Sequence, residues 1–271
     1  MLTPPRRAWN PLVPSLSDRV AGKYAVITGA SSGIGRELAV RLAAAGAVTI
    51  VVARREAELD RLVHEIENDG GAAHYVAADL SEEAGVNAVA DTVLDRFGAP
   101  DLLVNNAGRS IMRPMAAAER RLHDYERTMR LNYLAGVGLM LRFLPGMRAR
   151  GSGHIVHSSS VGVLTNLPEF SAYVGSKAAL DAVMRIAEVE SAADGITFTN
   201  VHLPLVATNM VSGDFEGYTR LSVDQAVDMM TDAIRRRPRS VDNPLGRAYS
   251  ATRALAPAVA VRAASTAYRA R

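Results

Sequence analysis

The sequence predicts an α/β fold: one doubly wound parallel sheet covered by helices on both faces, a three-layer αβα single domain. Three observations carry that reading. Short apolar, β-branched runs alternate with amphipathic helical patterns from residue 24 to residue 236, which implies parallel strands joined by crossover helices. A glycine-rich turn separates the first run from the first helical pattern. The length, 271 residues with 48% hydrophobic and 22% charged, suits one large domain and excludes a disordered, collagen-like or coiled-coil chain.

Residues 1–20 are punctuated by proline and lack periodicity, so they read as an N-terminal extension that packs on the surface or moves freely. The organised domain, 21–242, starts near Lys23. Its first strand, 24–27, runs into Thr28-Gly29-Ala30-Ser31-Ser32-Gly33-Ile34-Gly35, after which Leu38, Val40, Leu42 and Ala45 carry a helix to Gly46. The strand 48–52 leads into Arg54-Arg55 and a helix over 56–68; the strand 74–77 ends at Asp79-Leu80. A helix over 82–97, a strand over 102–104, a helix over 120–149, a strand over 153–157, a helix over 172–193 and a strand over 196–202 follow. The last clear helix, 222–236, opens with Ser222 and Gln225 at capping-box spacing. Between them, residues 205–221 have weak periodicity where such sheets open onto their ligands, and read as a lid. Residues 243–271 form a basic tail in which Pro257 interrupts any single long helix.

The net charge of +3 is unevenly spread. The tail holds five arginines and no acid, the extension is +2, and the body between them is therefore −4. A mildly acidic body does not suit a nucleic-acid binder, which needs a basic surface across the folded domain. The basic tail, with Ala254, Leu255, Ala258, Val259 and Val261 among its arginines, suits either an anionic membrane surface or packing on the domain or a second subunit. The absence of cysteine excludes disulfides, Cys-ligated zinc or iron–sulfur sites and a Cys nucleophile, and the six histidines lack metal-site spacing, so no metal is expected. No apolar stretch suits a signal peptide or a membrane span, so a cytoplasmic protein is expected.

Gly29, Gly33 and Gly35 follow a strand and open a helix, the context in which glycine lets backbone approach a pyrophosphate and the helix N-terminus stabilises its charge. A plain tight turn is the alternative. At the end of the second strand Val52-Ala53-Arg54-Arg55 stands where an NAD enzyme usually has an acid; Arg54 there would meet a 2′-phosphate, favouring NADP(H) over NAD(H), unless the two arginines simply head a helix in solvent. Tyr173 and Lys177 lie four apart and share one helical face. An ammonium beside a phenol stabilises the phenolate, so a lowered Tyr173 pKa and proton exchange with an alcohol or carbonyl are expected. Lys177 is one of two lysines among 31 basic residues.

The motifs TGASSGIG at 28–35, NNAG at 105–108, Asn132 in RLNYLAG, the serine run 158–160 and YVGSK at 173–177 occur in order. Over roughly residues 21–236 the chain resembles the short-chain dehydrogenase/reductase family, with its Rossmann fold. The resemblance implies a catalytic tetrad of Asn132, Ser160, Tyr173 and Lys177. In it Tyr173 is the general acid of reduction, Ser160 bonds the substrate oxygen with Ser159 second for that role, Lys177 holds the nicotinamide ribose, and Asn132 places a relay water. It also places Asp79 and Leu80 at the adenine, Asn106, Ala107 and Gly108 along the ribose side, and Ser31, Ser32, Ile34, Pro204, Val206 and Thr208 against the cofactor.

One departure is Leu205, where many members carry glycine after the proline. The stretches NNAGRSI, HDYERTMRLNYLAG, SSSVGVLTN, FSAYVGSKAALDA and HLPLVAT look more narrowly like bacterial long-chain acyl-CoA or fatty-aldehyde reductases, although Ala207 replaces an arginine frequent there. Val206, Met210, Val211 and Phe215 suit a lipid-like substrate or serve as lid core. The expectation is an NADP-dependent reductase of a long-chain aliphatic carbonyl or acyl substrate. The alternatives are a ketoreductase or alcohol dehydrogenase for a non-lipid substrate, or an NADP-binding protein without turnover, against which the complete tetrad argues. A homo-dimer or homo-tetramer through helices near 130–145 and 178–188 is implied by resemblance.

Overall fold

The protein is described by a computed structural model covering residues 13–208, 210 and 220–269. Seven parallel strands form one sheet: β1 (Tyr24–Thr28), β2 (Val48–Ala53), β3 (Ala72–Ala77), β4 (Leu102–Asn105), β5 (Gly153–Ser160), β6 (Ile196–Leu203) and β7 (Ser240–Val241). Their order is β3-β2-β1-β4-β5-β6-β7, so the chain winds outward from β1 and reverses between β1 and β4. The reversal opens a crevice at the carboxyl ends of those two strands, where ligands of such sheets bind.

The helices are α1 (Leu16–Val20), α2 (Gly33–Ala44), α3 (Glu56–Asn68), α4 (Glu83–Phe97), α5 (Leu122–Met129), α6 (Ala135–Arg150), α7 (Val161–Thr165), α8 (Ser171–Glu190), α9 (Val223–Arg236), α10 (Pro244–Leu255) and α11 (Pro257–Arg269). Strands buried on both faces require two cores. On one face Leu38 and Leu42 of α2, Leu59 and Leu62 of α3 and Met230 of α9 pack over Ile27 and Val51. On the other Val89 of α4, Leu139 and Phe143 of α6 and Leu180 of α8 pack over Val26, Leu103 and Ile155. Emptying the fully buried Phe143 site to alanine would cost about 3–5 kcal/mol.

Several expectations are corrected. The helix expected over 120–149 is three segments: α5, a π-helical turn over Arg130–Leu134, and α6. The turn holds Asn132, whose side chain bonds outside its own helix. The third strand begins two residues earlier than the expected residue 74, because pairing with β2 extends to Val48↔Ala72. The extension is not aperiodic throughout: Ser15 and Asp18 form a capping box that starts α1, and Val20 is buried against the first core. The capping box at Ser222 and Gln225 is present on α9. Pro257 does divide the tail, into α10 and α11. Most of the expected lid, residues 209 and 211–219 with Val211 and Phe215, lies outside the described residues. Among the described residues no helix is long and apolar enough to cross a membrane.

Candidate active site

The glycine turn is held by its neighbours. Thr28, the last residue of β1, donates through Oγ1 to the Val104 carbonyl (3.1 Å) and accepts from the amides of Asn106 (3.0 Å) and Ala107 (2.9 Å). The Asn106 side-chain Nδ2 in turn donates to the Thr28 carbonyl at 2.9 Å, which ties the glycine turn to the NNAG segment. A Cβ on Gly35 would lie 2.6 Å from the Gly29 carbonyl oxygen, so only glycine fits there. Gly33 has φ +57°, and a Cβ there would approach Thr208 Cγ2 to 3.3 Å, which puts Thr208 over the turn. Ser32 caps α2 without a side-chain bond to its first-turn amides, and no acid occupies that turn. Free amides and an uncompensated positive helix end suit a phosphate group, so the turn fits a pyrophosphate.

At the end of β2 the two arginines part. Arg55 lies over the turn and donates to Ser31 Oγ (3.0 Å) and to the Ser31 carbonyl (3.2 Å). Arg54 stays exposed, 3.6 Å from Asp79 Oδ2. Burial works against the Asp79 carboxylate, but bonds from the Ser81 amide and hydroxyl and the charge of Arg54 hold its pKa below the usual carboxylate range. Leu80 is buried beside it, and Ile34 packs on the first core. Pro204 and Leu205 leave β6; Val206 is buried and bridges to Leu221, with Leu221 N–H donating to the Leu205 carbonyl at 2.8 Å. Leu205 thus ties the two ends of the expected lid through its main chain.

The chemistry-bearing side chains meet where β5 ends and α8 begins. The Ser160 hydroxyl lies beside the Tyr173 phenol and draws its pKa down, while Ser160 Oγ accepts the Gly162 amide at 3.1 Å and caps α7. Ser159 is buried and lies against Asp181, away from the phenol. The Lys177 ammonium donates to the Ser158 carbonyl at 2.7 Å, and a Cβ on Gly108 would sit 3.4 Å from both Lys177 Nζ and Asn132 Oδ1. Asn132 is fully engaged: Oδ1 accepts the Arg109 amide (2.7 Å), and Nδ2 donates to the Arg109 carbonyl and to Ser176 Oγ (both 2.9 Å). Gly108, Asn132, Ser160, Tyr173 and Lys177 are therefore brought together, with the glycine turn, Arg54 and Asp79 toward the other end of the crevice.

The expected lowering of the Tyr173 pKa is not found. Burial pushes the phenol above its usual value, and the Ser160 hydroxyl only partly opposes that. Burial likewise pulls Lys177 down to about 8, against the opposing charge of Asp181. Both residues do lie on α8, but the four-residue spacing said nothing of desolvation, which dominates both groups. Residues passed over in the sequence were Thr28, whose staple role was hidden inside the glycine motif, Arg55, and the Asp181–His202 pair, separated by 21 positions.

Comparison with known proteins agrees with this fold. The model of the short chain dehydrogenase family matches residues 23–219. An uncharacterized oxidoreductase of Mycobacterium bovis is 44% identical over 259 residues, covering 94% of this chain and 76% of that protein. A fatty acyl-CoA reductase of Acinetobacter baylyi is 43% identical over 242 residues, covering 89% and 82%. Among solved structures, L-sorbose reductase from Gluconobacter frateurii, complexed with NADPH and L-sorbose, is 29% identical with a TM-score of 0.74 over 82% of this chain and 96% of that one. A gluconate 5-dehydrogenase from Burkholderia cenocepacia with NADP and tartrate is 28% identical, TM-score 0.73, over 83% and 95%. With the glycine turn, the sheet order and the Ser160–Tyr173–Lys177 cluster in place, the chain belongs to the short chain dehydrogenase family of oxidoreductases.

Proposed function

We propose that the chain is an NADP(H)-dependent reductase of a long-chain aliphatic carbonyl compound, a fatty aldehyde or an acyl-CoA. The observation that carries the chemistry is the convergence of Ser160, Tyr173 and Lys177 beside a turn fitted to a pyrophosphate. When bound, NADPH supplies the hydride, so that an aldehyde ends as an alcohol and an acyl-CoA ends as an aldehyde with release of the CoA thiol.

Tyr173, kept protonated through neutral pH by burial, gives its proton to the substrate oxygen. Ser160, beside the phenol, holds the same oxygen and fixes its distance from that proton. The Lys177 ammonium offsets the phenolate left behind and binds the ribose beside Gly108. Asn132, with its side chain committed to the Arg109 backbone and Ser176, serves the relay by fixing the main chain of the π-helical turn. Ser31, Ser32, Gly33, Ile34 and Gly35 hold the pyrophosphate, Asp79 and Leu80 flank the adenine, Asn106, Ala107 and Gly108 line the ribose side, and Pro204, Val206 and Thr208 close over the nicotinamide end. Arg54 takes the 2′-phosphate, for which its exposed guanidinium is available beside Asp79.

The lipid reading is supported by the likeness to the fatty acyl-CoA reductase of Acinetobacter baylyi and by exposed Met112, Met115 and Leu122 after the NNAG segment and Met210 within the expected lid. The solved neighbours with small polyhydroxy ligands support a second reading, a ketoreductase for a compact substrate. Exposed Leu141 of α6 and Ile186 and Val189 of α8 support a homo-dimer or homo-tetramer. Residues 21–242 form the catalytic domain, and the tail 243–271 packs on it through Gly246 of α10, while exposed Leu255, Val259 and Val261 among its arginines suit a second subunit or an anionic membrane surface. NADPH oxidation measured against acyl-CoAs, long-chain aldehydes and small ketones, with NADH in parallel, decides the matter. Selective turnover of long aliphatic substrates is expected; turnover of compact ketones alone transfers the assignment to the second reading, and no turnover at all rejects both.

A further inference from the structure

Below the catalytic cluster lies a buried chain of charges that no step above uses. Asp181 stands one helical turn beyond Lys177 on α8, with no side-chain exposure. Its Oδ2 is 2.6 Å from His202 Nε2 on β6, and His202 Nδ1 is 2.7 Å from Asp242 Oδ1, just past β7. Both imidazole nitrogens face carboxylates, so both must donate, and that is the imidazolium form. The opposing carboxylates accordingly raise the His202 pKa, against the effect of burial.

The surroundings of Asp181 are otherwise sparing. His157 of β5 brings Nε2 to 3.7 Å of Oδ1, but burial holds that ring neutral, with a pKa near 3. Ser159 lies against the carboxylate, Asn200 Nδ2 donates to the Asp181 main-chain carbonyl at 3.5 Å, and Arg185 reaches Oδ2 only at 4.0 Å from an exposed position. At the outer end Ser240 Oγ donates to Asp242 at 3.0 Å, and Arg247 Nε lies 3.7 Å from it.

Lys177 donates to a neutral partner, the Ser158 carbonyl, in a position only 3% exposed. A buried ammonium without counter-charge loses its proton. Asp181 is the acid whose charge bears on it. We propose that Asp181 is a positioning residue for the reduction: its carboxylate keeps Lys177 in the ammonium form, and His202, gripped by Asp242, offsets part of that carboxylate charge. The inference rests on the reading that Lys177 serves the reaction.

Two opposite effects follow. Asp181→Asn removes the supporting charge and lowers the pH at which Lys177 titrates. His202→Gln keeps a donor toward Asp181 but removes the cation, so Lys177 sees more of the carboxylate and titrates higher. The chain carries only Lys23 and Lys177, so lysine labelled with ¹³C at Cε gives two NMR signals, with Lys23 as internal reference.

In the full chain without cofactor, the Lys177 midpoint is expected to fall by roughly one pH unit or more in Asp181→Asn and to rise by less in His202→Gln. The alkaline limb of kcat/KM for NADPH should move in the same two directions. An unmoved midpoint in Asp181→Asn, or a fall in His202→Gln, overturns the proposal. A merely structural role for the chain would lower thermal stability in both variants and leave the midpoint alone. Where Asp181→Asn does not fold, the His202→Gln midpoint decides: a rise supports the proposal, and no change or a fall rejects it. Lys177→Met separates this from the catalytic reading, since full activity in that variant rejects the role of Lys177 whatever the midpoints show.

Discussion

At the scale of single residues the site divides into groups that move protons and groups that hold charge. Tyr173→Phe removes the proton donor and keeps the ring, so kcat for carbonyl reduction should fall by at least about 100-fold while NADPH binding, followed by fluorescence, stays near wild type. Activity retained in that variant would remove Tyr173 from the mechanism. Lys177, drawn down to about 8 by burial, loses its charge as pH rises through that value, so kcat/KM should decline above about pH 8. A profile flat from pH 7 to 10 contradicts that assignment. Arg54→Ala deletes the cation beside Asp79 and should raise the KM for NADPH by roughly 10- to 100-fold while leaving the KM for NADH alone. These residues were legible in the sequence because each sits in a short contiguous motif. What the motifs could not convey was environment: the same Tyr–Lys spacing gives a lowered phenol in a wet site and a raised one in a dry site, and Phe170, whose ring meets that of Tyr173 edge-on, lies outside the YVGSK motif.

At the scale of elements, β5 is the axis of the site and carries an unusual load. His154 and His157 are both fully buried in it; His154 Nε2 meets Thr199 Oγ1 at 2.9 Å, and burial lowers both rings from 6.5 to about 3. The unfolded chain binds protons at these histidines below pH 6.5 and the folded chain does not. The stability they provide is therefore complete above 6.5 and is lost as pH falls toward 3, at up to about 1.4 kcal/mol per pH unit for each ring. Urea midpoints measured at pH 7, 5.5 and 4 should drop steadily, and less steeply in His154→Gln; equal slopes in the two proteins would refute the claim. The alternation of strands and helices was readable from periodicity because each crossover buries one apolar stripe. The π-helical turn at Arg130–Leu134 was not, since its apolar pattern continues that of α5 and α6, and the widened turn exists because Asn132 bonds across to Arg109. Two-residue β7 and five-residue α7 are too short to show any period.

At the scale of the whole molecule, the two C-terminal helices are unequally attached to the domain. Gly246 of α10 is buried against Val161 and Leu164 of α7, where a Cβ would approach Val161 Cγ2 to 2.9 Å, whereas in α11 only Ala260, 2% exposed, is buried among the residues whose side chains are described. Removing residues 257–271 should leave the urea midpoint and kcat near those of the full chain. Removing 244–271 uncovers α7 and should reduce kcat several-fold, while the NADPH-induced rise in melting temperature, which depends on the glycine turn, persists. Equal kcat in the two truncations would show that α10 does not brace the site. The sequence marked the tail as basic and broken at Pro257, but packing between α10 and α7 depends on a tertiary fit that charge and periodicity do not report. Ser160 caps α7, and the helix that braces α7 is encoded after every strand of the sheet and after the glycine turn. A chain ending before α10 would therefore keep every residue proposed for the cofactor and lack only the brace of the serine end.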